Sequence, residues 1–168
     1  MKIRGRVWRF GDNVDTDQII PAEYLVTGDA RELAKHTFEK VRPEFAKKVQ
    51  RGDVIVAGKN FGCGSSREHA ARALIGSGIA CVVAGSFARI FFRNSINIGL
   101  PLVECKLEAE EGDEVEIDFA AGSIKNLSSG RNYSFKALPA FLLNLLESGG
   151  LVEYTLAKLV RQSKDIYK

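Results

Sequence analysis

Gly58-Lys59-Asn60-Phe61-Gly62-Cys63-Gly64-Ser65-Ser66-Arg67-Glu68-His69 joins two segments of different periodicity. Before it, Asp53-Val54-Ile55-Val56-Ala57 is a short apolar run and reads as a buried strand. After it, Ala70, Ala71, Leu74, Ile75 and Gly78 recur at helical spacing. The stretch is therefore a strand-to-helix turn. Glycine permits positive φ and close backbone approach, and a helix start offers unpaired N–H groups with partial positive charge. Ser65, Ser66 and Arg67 at that point make an anion site suited to carboxylate or phosphate. The plain alternative is a connection in which Ser65 or Ser66 caps the helix.

Standard motifs do not fit the turn. Arg67 stands where a dinucleotide fingerprint needs its third glycine, and the next apolar run, Ile79 to Ala84, ends in Gly85-Ser86 without an acidic residue. The chain has no Gly-Lys-Ser/Thr and no Gly-x-Ser-x-Gly, which removes a P-loop and a hydrolase elbow.

Working outward, 168 residues predict one domain over 1–168, with room for a proper core. The composition, 45% hydrophobic and 27% charged, is that of a globular protein. A net charge of +3, spread along the chain, argues against nucleic acid. No apolar run reaches the roughly 20 residues of a membrane span, and Met1 to Arg6 lacks a secretion signal's apolar core. The cytoplasm is the expected location. Cys63, Cys81 and Cys105 are far apart, with no C-x-x-C spacing, so neither a disulfide framework, a zinc site nor a complete cluster site is expected in this chain. Cys81 reads as a core residue. A catalytic thiolate at Cys63 would call on His69 as its base, but no cysteine-enzyme signature matches.

Upstream, Val7-Trp8-Arg9-Phe10 reads as a strand leading into Gly11-Asp12-Asn13-Val14-Asp15-Thr16-Asp17-Gln18. Three aspartates in six residues raise calcium, but the glycine and later glutamate of a calcium loop are missing. Two readings stay open: an Asx-rich turn capping the next segment, or a carboxylate, Asp17, turned into a polar site. Pro21 to Tyr24 opens a short helix ended by Leu25 to Gly28. Helices are expected at 29–36 and 44–49, and His36 reads as a helix-surface histidine. Downstream, 86–96 reads as a helix with an aromatic buried face; its Arg89, Arg93 and Asn94 either brace the glycine turn or face water. Residues 115–119 alternate as a half-buried strand, hairpin turns fall at Gly122 and 128–130, and helices are expected at 138–146 and 152–167. The element order predicts an α/β domain with a mixed sheet and the anion-binding turn at a strand's C-terminal end.

Three segments together resemble the small subunits of aconitase-superfamily hydro-lyases, above all those of the 3-isopropylmalate dehydratase type: 11–22, 60–70 and 86–100, in the family's order. The resemblance covers most of 5–105; the last third carries no motif. It implies a swivelling β/β/α domain, the counterpart of aconitase's mobile last domain. It implies a large-subunit partner bearing a [4Fe–4S] cluster, with no metal on this chain, and isomerisation of 2-isopropylmalate to 3-isopropylmalate in leucine biosynthesis. It makes Ser65 the general base, with Ser66 and Arg67 binding a substrate carboxylate and Asp17 supporting a partner histidine. It also makes Tyr24, Leu25, Val26 and Thr27 a substrate-specificity loop. Homoaconitase relatives carry arginine where this chain has Val26, to pair with a third carboxylate. Valine would leave that carboxylate unpaired, so 2-isopropylmalate is favoured over homocitrate, with citramalate-type substrates possible. A non-catalytic anion-binding module is the alternative of another class. RNA binding, seen in some cluster-free aconitase relatives, lacks aromatic-basic interleaving here.

Overall fold

The computed structural model describes residues 1–166; the end of the expected C-terminal helix, Tyr167, lies outside the described residues. Among the described residues seven strands form one sheet, in the order β4-β3-β2-β1-β5-β6-β7. Strands β1 (Lys2–Arg9), β2 (Val54–Ala57), β3 (Cys81–Ala84) and β4 (Leu102–Glu104) are parallel. Strands β5 (Glu114–Asp118), β6 (Ser123–Asn126) and β7 (Asn132–Ser134) continue antiparallel from β1, with Ile3 opposite Ile117.

Side-chain alternation divides the core in two. Trp8, Ile55, Val82 and Ala84 point to one face, which is covered by α2 (Ala30–Ala34), α3 (Phe45–Lys48), α4 (His69–Gly76) and α5 (Arg89–Asn97) through Leu33, Phe45, Leu74 and Phe91. Val7, Val54, Val56, Cys81 and Val83 point to the other, where they meet Val115, Ile117, Phe119 and Ile124 of the antiparallel part. Both faces of the parallel strands are thus buried, as their unbroken apolar sequences require. The result is the expected α/β fold, a β/β/α arrangement on a mixed sheet.

Two expectations shift in detail. Asp53 is not in β2 but stands just before it, 3% exposed, where its Oδ2 accepts from Trp8 Nε1 at 2.8 Å, Arg6 Nη2 at 2.9 Å and the Gln50 amide at 2.9 Å. A carboxylate so deep is retained because three donors satisfy it. The helix expected from Ser86 begins only at Arg89. Ser86 to Ala88 are extended because Phe61 pairs with them: its amide donates to the Ser86 carbonyl, and the Ala88 amide donates to Phe61. Tertiary pairing outweighs local helix propensity there.

After β7, α6 (Ala140–Glu147) starts behind Pro139 and stops at Gly149-Gly150, and α7 (Leu151–Ile166) follows. Among the described residues no helix is long and apolar enough to cross a membrane.

Candidate functional site

The strand-to-helix turn is built by three segments zipped together. The first is 11–16, which lies alongside 58–65: the Gly58 amide donates to Gly11, Asn13 to Lys59, Gly62 to Val14 and Thr16 to Cys63, at 2.7–3.0 Å. Asp12 accepts from the Lys59 amide at 2.7 Å, and the Asn60 side chain donates to that of Asn13 at 3.0 Å. Asn13 and Asn60 both take left-handed φ, which asparagine tolerates better than most residues. Asp15 and Gln18 complete a reciprocal capping box on α1 (Thr16–Ile19). The aspartate-rich segment is therefore a capped turn, with Asp15 as the cap. Asp17 stands exposed on it without an ion-pair partner among the described residues.

Gly62 is where the turn admits no other residue. Its φ is +81°, and a Cβ there would lie 2.1 Å from Phe91 Cγ. The chain then passes Gly64, φ +101°, against Thr16. The Ser65 amide donates to Thr16 Oγ1 at 2.9 Å, and the Arg67 amide donates to Ser65 Oγ at 3.3 Å. Ser65 is half-buried; Ser66 and Arg67 are exposed.

The helix starts later than the sequence implies. His69 is the first residue of α4, and Glu68 precedes it without a side-chain cap bond. Neither serine caps the helix. They lie in an extended bend ahead of it, and the donor nearest Ser65 Oγ is a loop amide. Asn94, on α5, donates to the Ser66 carbonyl at 2.9 Å and braces this bend. Arg89 and Arg93 instead line a groove of about 570 Å³ with Phe92, Glu104 and Leu138, away from the serines' brace.

The segment Tyr24–Thr27 reaches the same region. Arg72 of α4 donates to the Gly28 carbonyl at 3.4 Å and to Glu68 Oε1 at 2.8 Å, linking the end of this segment to the residue after Arg67. A 3₁₀ turn, Ala22–Tyr24, leads into it. Tyr24 and Leu25 pack inward, while Val26 is 93% exposed. Thr16, Arg72 and His36 hold this assembly, and sequence reasoning misses all three in that role; the available signal for His36 is its three-residue spacing from Glu39.

Cys63 and His69 do not form a catalytic pair. Among the described residues nothing bonds the Cys63 thiol to His69, and His69 Nδ1 is buried without a partner. Cys81 is fully buried at the start of β3, where burial pushes its thiol far above the usual range. Cys105 is half-buried near Ser134. The three sulfurs stand in separate places, and among the described residues no three His, Cys, Asp or Glu side chains gather to hold a metal. The described residues of this chain do not form an iron–sulfur cradle.

The β/β/α frame on a mixed sheet is that of an aconitase C-terminal-type domain, and the Aconitase C-terminal domain family matches residues 44–107. The chain is 57% identical to the 3-isopropylmalate dehydratase small subunit of Thermodesulfovibrio yellowstonii over 162 residues, 95% of this chain and 96% of that one. It is 58% identical to the methanogen homoaconitase small subunit of Methanothermobacter thermautotrophicus over 154 residues, 92% of this chain and 91% of that one. A crystal structure of 3-isopropylmalate dehydratase from Methanocaldococcus jannaschii matches with a TM-score of 0.93 and 46% identity, covering 98% of this chain and 99% of that one. The chain belongs to the family of 3-isopropylmalate dehydratase small subunits and their homoaconitase relatives.

Proposed function

We propose that this chain is the smaller half of a cytoplasmic hydro-lyase, one swivel domain inactive alone, which with a large subunit isomerises 2-isopropylmalate to 3-isopropylmalate in leucine biosynthesis. The observation that carries the reading is an uncharged residue, Val26, 93% exposed at the tip of a loop tied to the Ser65–Arg67 bend. Overall identity does not choose the substrate, because the homoaconitase relative is as similar as the isopropylmalate one. The loop does. A third carboxylate set against Val26 would lose its hydration without gaining a cation, whereas an isopropyl group loses nothing by burial there.

The reaction takes a proton from one carbon and hydroxide from its neighbour, then returns both with the positions exchanged. In this reading Ser65 Oγ receives and returns the carbon-bound proton. A serine alkoxide is a costly species, and it needs donors already aimed at it. The Arg67 amide is one such donor, at 3.3 Å. The Arg67 guanidinium, exposed and in no ion pair among the described residues, is free to clamp a substrate carboxylate, with the Ser66 hydroxyl beside it. Asp17, equally free, supports a proton-carrying histidine of the large subunit. The [4Fe–4S] cluster belongs in this reading to the large subunit, where it would supply Lewis acidity at the departing hydroxyl. That Ser66 and Arg67 are exposed is consistent with a site whose other wall is a partner.

The test is anaerobic reconstitution with the large subunit and side-by-side rates on 2-isopropylmalate, citramalate and homocitrate. The pair should turn over 2-isopropylmalate fastest, and the isolated chain should do nothing. Ser65→Ala should abolish turnover while the subunits still associate. Activity of the chain alone, or none from the pair with any 2-substituted malate, would overturn the reading.

A further inference from the structure

The loop that presents Val26 is pinned by residues outside every signature segment. The Tyr24 ring stacks on the His36 imidazole, centroids 3.6 Å apart and planes within 7°. The Tyr24 hydroxyl donates to Glu39 Oε1 at 2.9 Å, and His36 Nδ1 donates to Oε2 of the same carboxylate at 2.5 Å. One residue earlier, Lys40 Nζ donates to Glu23 at 3.1 Å. Three contacts therefore cross from 36–40 to the 3₁₀ turn on which the loop is mounted. The two donors hold the Glu39 carboxyl below its usual range, His36 contributing most, and Glu39 in turn raises the Tyr24 hydroxyl.

These contacts are not what closes the core beneath them. The His36 and Glu39 side chains are 35% and 40% exposed, whereas Phe38 between them is fully buried and stacks on Phe10. Ordering three side chains at a half-exposed site costs conformational entropy, and it fixes one thing: the direction of the chain leaving Tyr24. At its other end the loop is fixed by Arg72 on the Gly28 carbonyl and by Asp29, which caps α2. Leu25 backs onto the core, and Val26 alone projects.

We propose that His36 and Glu39 are positioning residues, which set where Val26 meets the variable arm of the substrate and so tune discrimination among 2-substituted malates without touching them. This rests on the reading of Tyr24–Thr27 as the substrate-facing loop. Removing either residue frees Tyr24, lets the loop sample other directions, and weakens binding of the branched arm more than it slows chemistry at the serine.

The experiment compares wild type, His36→Ala, His36→Phe, Glu39→Ala and the double alanine variant, each as the full chain reconstituted with the large subunit, on 2-isopropylmalate and citramalate, with homocitrate added for wild type. The alanine variants should raise KM for 2-isopropylmalate about tenfold, the loss of one well-placed hydrogen bond to a charged group. They should change kcat far less, and should narrow the kcat/KM ratio between the two substrates. His36→Phe keeps the ring stack and should recover part of the loss. The double alanine variant should be scarcely worse than the worse single one, because the residues act through one tyrosine. Hydrogen exchange at the amides of 25–27 in the full chain should quicken in both alanine variants. Unchanged exchange, or an equal loss on both substrates, overturns the proposal. Faster exchange with an unchanged substrate ratio also overturns it, but by removing the loop's substrate-facing role and leaving the pinning intact. A wild-type pair that prefers homocitrate strikes at the proposed function, while the exchange result still reports on the pinning.

Discussion

Asn94 Nδ2 donates to the carbonyl oxygen of Ser66 at 2.9 Å, so the third signature segment holds the backbone of the second. The bond spans 28 residues of sequence. On the other side, Thr16 Oγ1 accepts from the Ser65 amide, so the first segment holds it too. The serine pair is thus clamped by its backbone from both sides, and of the two hydroxyls Ser65 Oγ accepts from the Arg67 amide.

Asn94→Ala should lower kcat of the reconstituted pair by roughly tenfold or more, since a small displacement of reacting groups is expensive in rate. Stability should fall by only about 1 kcal/mol, the worth of one hydrogen bond. Steady-state kinetics and thermal melting together check this. A variant with full activity would show that the bond does not position the serines.

Gly62→Ala should fail at the level of folding. The new methyl meets Phe91 Cγ at 2.1 Å and the backbone is held at φ +81°. Strain and overpacking together predict a loss of about 3 kcal/mol or more. Denaturant melting of the soluble fraction would measure it. Gly11, where an added methyl would enter open space, is the control: Gly11→Ala should cost far less.

The sequence makes the frame legible where pattern and packing agree. The apolar runs at 53–57 and 79–84 hold β2 and β3, and the glycines at 112, 122, 130 and 149–150 fall at element edges seen in the structure. Long-range pairing is not legible. Ser86 to Ala88 leave the helix because Phe61 claims their backbone, and nothing local announces that. His36 reads as a surface histidine because its partner Tyr24 lies twelve residues back and is reached only through stacking. The start of α4 escapes the sequence for a related reason: Ser65 looks like a cap by residue type, but Thr16 binds its amide and draws it out of the helix. Chemistry at the bend comes from resemblance, since serine, arginine and aspartate have no spacing that names a hydro-lyase.

Val26→Arg should move preference toward tricarboxylates. The exposed tip has room for the longer side chain, and a guanidinium there supplies the cation that a third carboxylate lacks. The ratio of kcat/KM for homocitrate over 2-isopropylmalate should rise by about tenfold or more. An unchanged ratio would show that residue 26 does not face the substrate.

Acid should destabilise the chain through several carboxylates at once. Backbone amides at the start of α2 hold Asp29 below its usual range. Amides of the β5–β6 turn do the same for Asp118, the Asn126 side chain for Asp113, and Arg42 for Glu44. Each folded value lies below the unfolded one, so each contribution is fully present above about pH 5, clear of the unfolded values, and disappears as pH falls through the folded values. Stability from denaturant melts should be flat between about pH 5 and 8 and decline below about 4. Of the four, Glu44 is held chiefly by an ion pair, so salt should soften its part of the decline more than that of the amide-held aspartates.

Cys81 predicts a second edge, on the alkaline side. It is fully buried between Val54 and the β4 side of the sheet, and desolvation alone raises its thiol far above the usual range. The unfolded thiol ionises from about pH 8.5, whereas the folded one stays protonated, so this stability is complete below that value and is lost as pH rises. The slope should approach about 1.4 kcal/mol per pH unit for the one proton involved. Cys81→Ala removes the titrating group. It should lower stability at neutral pH through lost packing, yet flatten the dependence between about pH 9 and 10.5. Parallel melts of the two proteins across that range decide it, and equal slopes would mean that other groups set the alkaline limit.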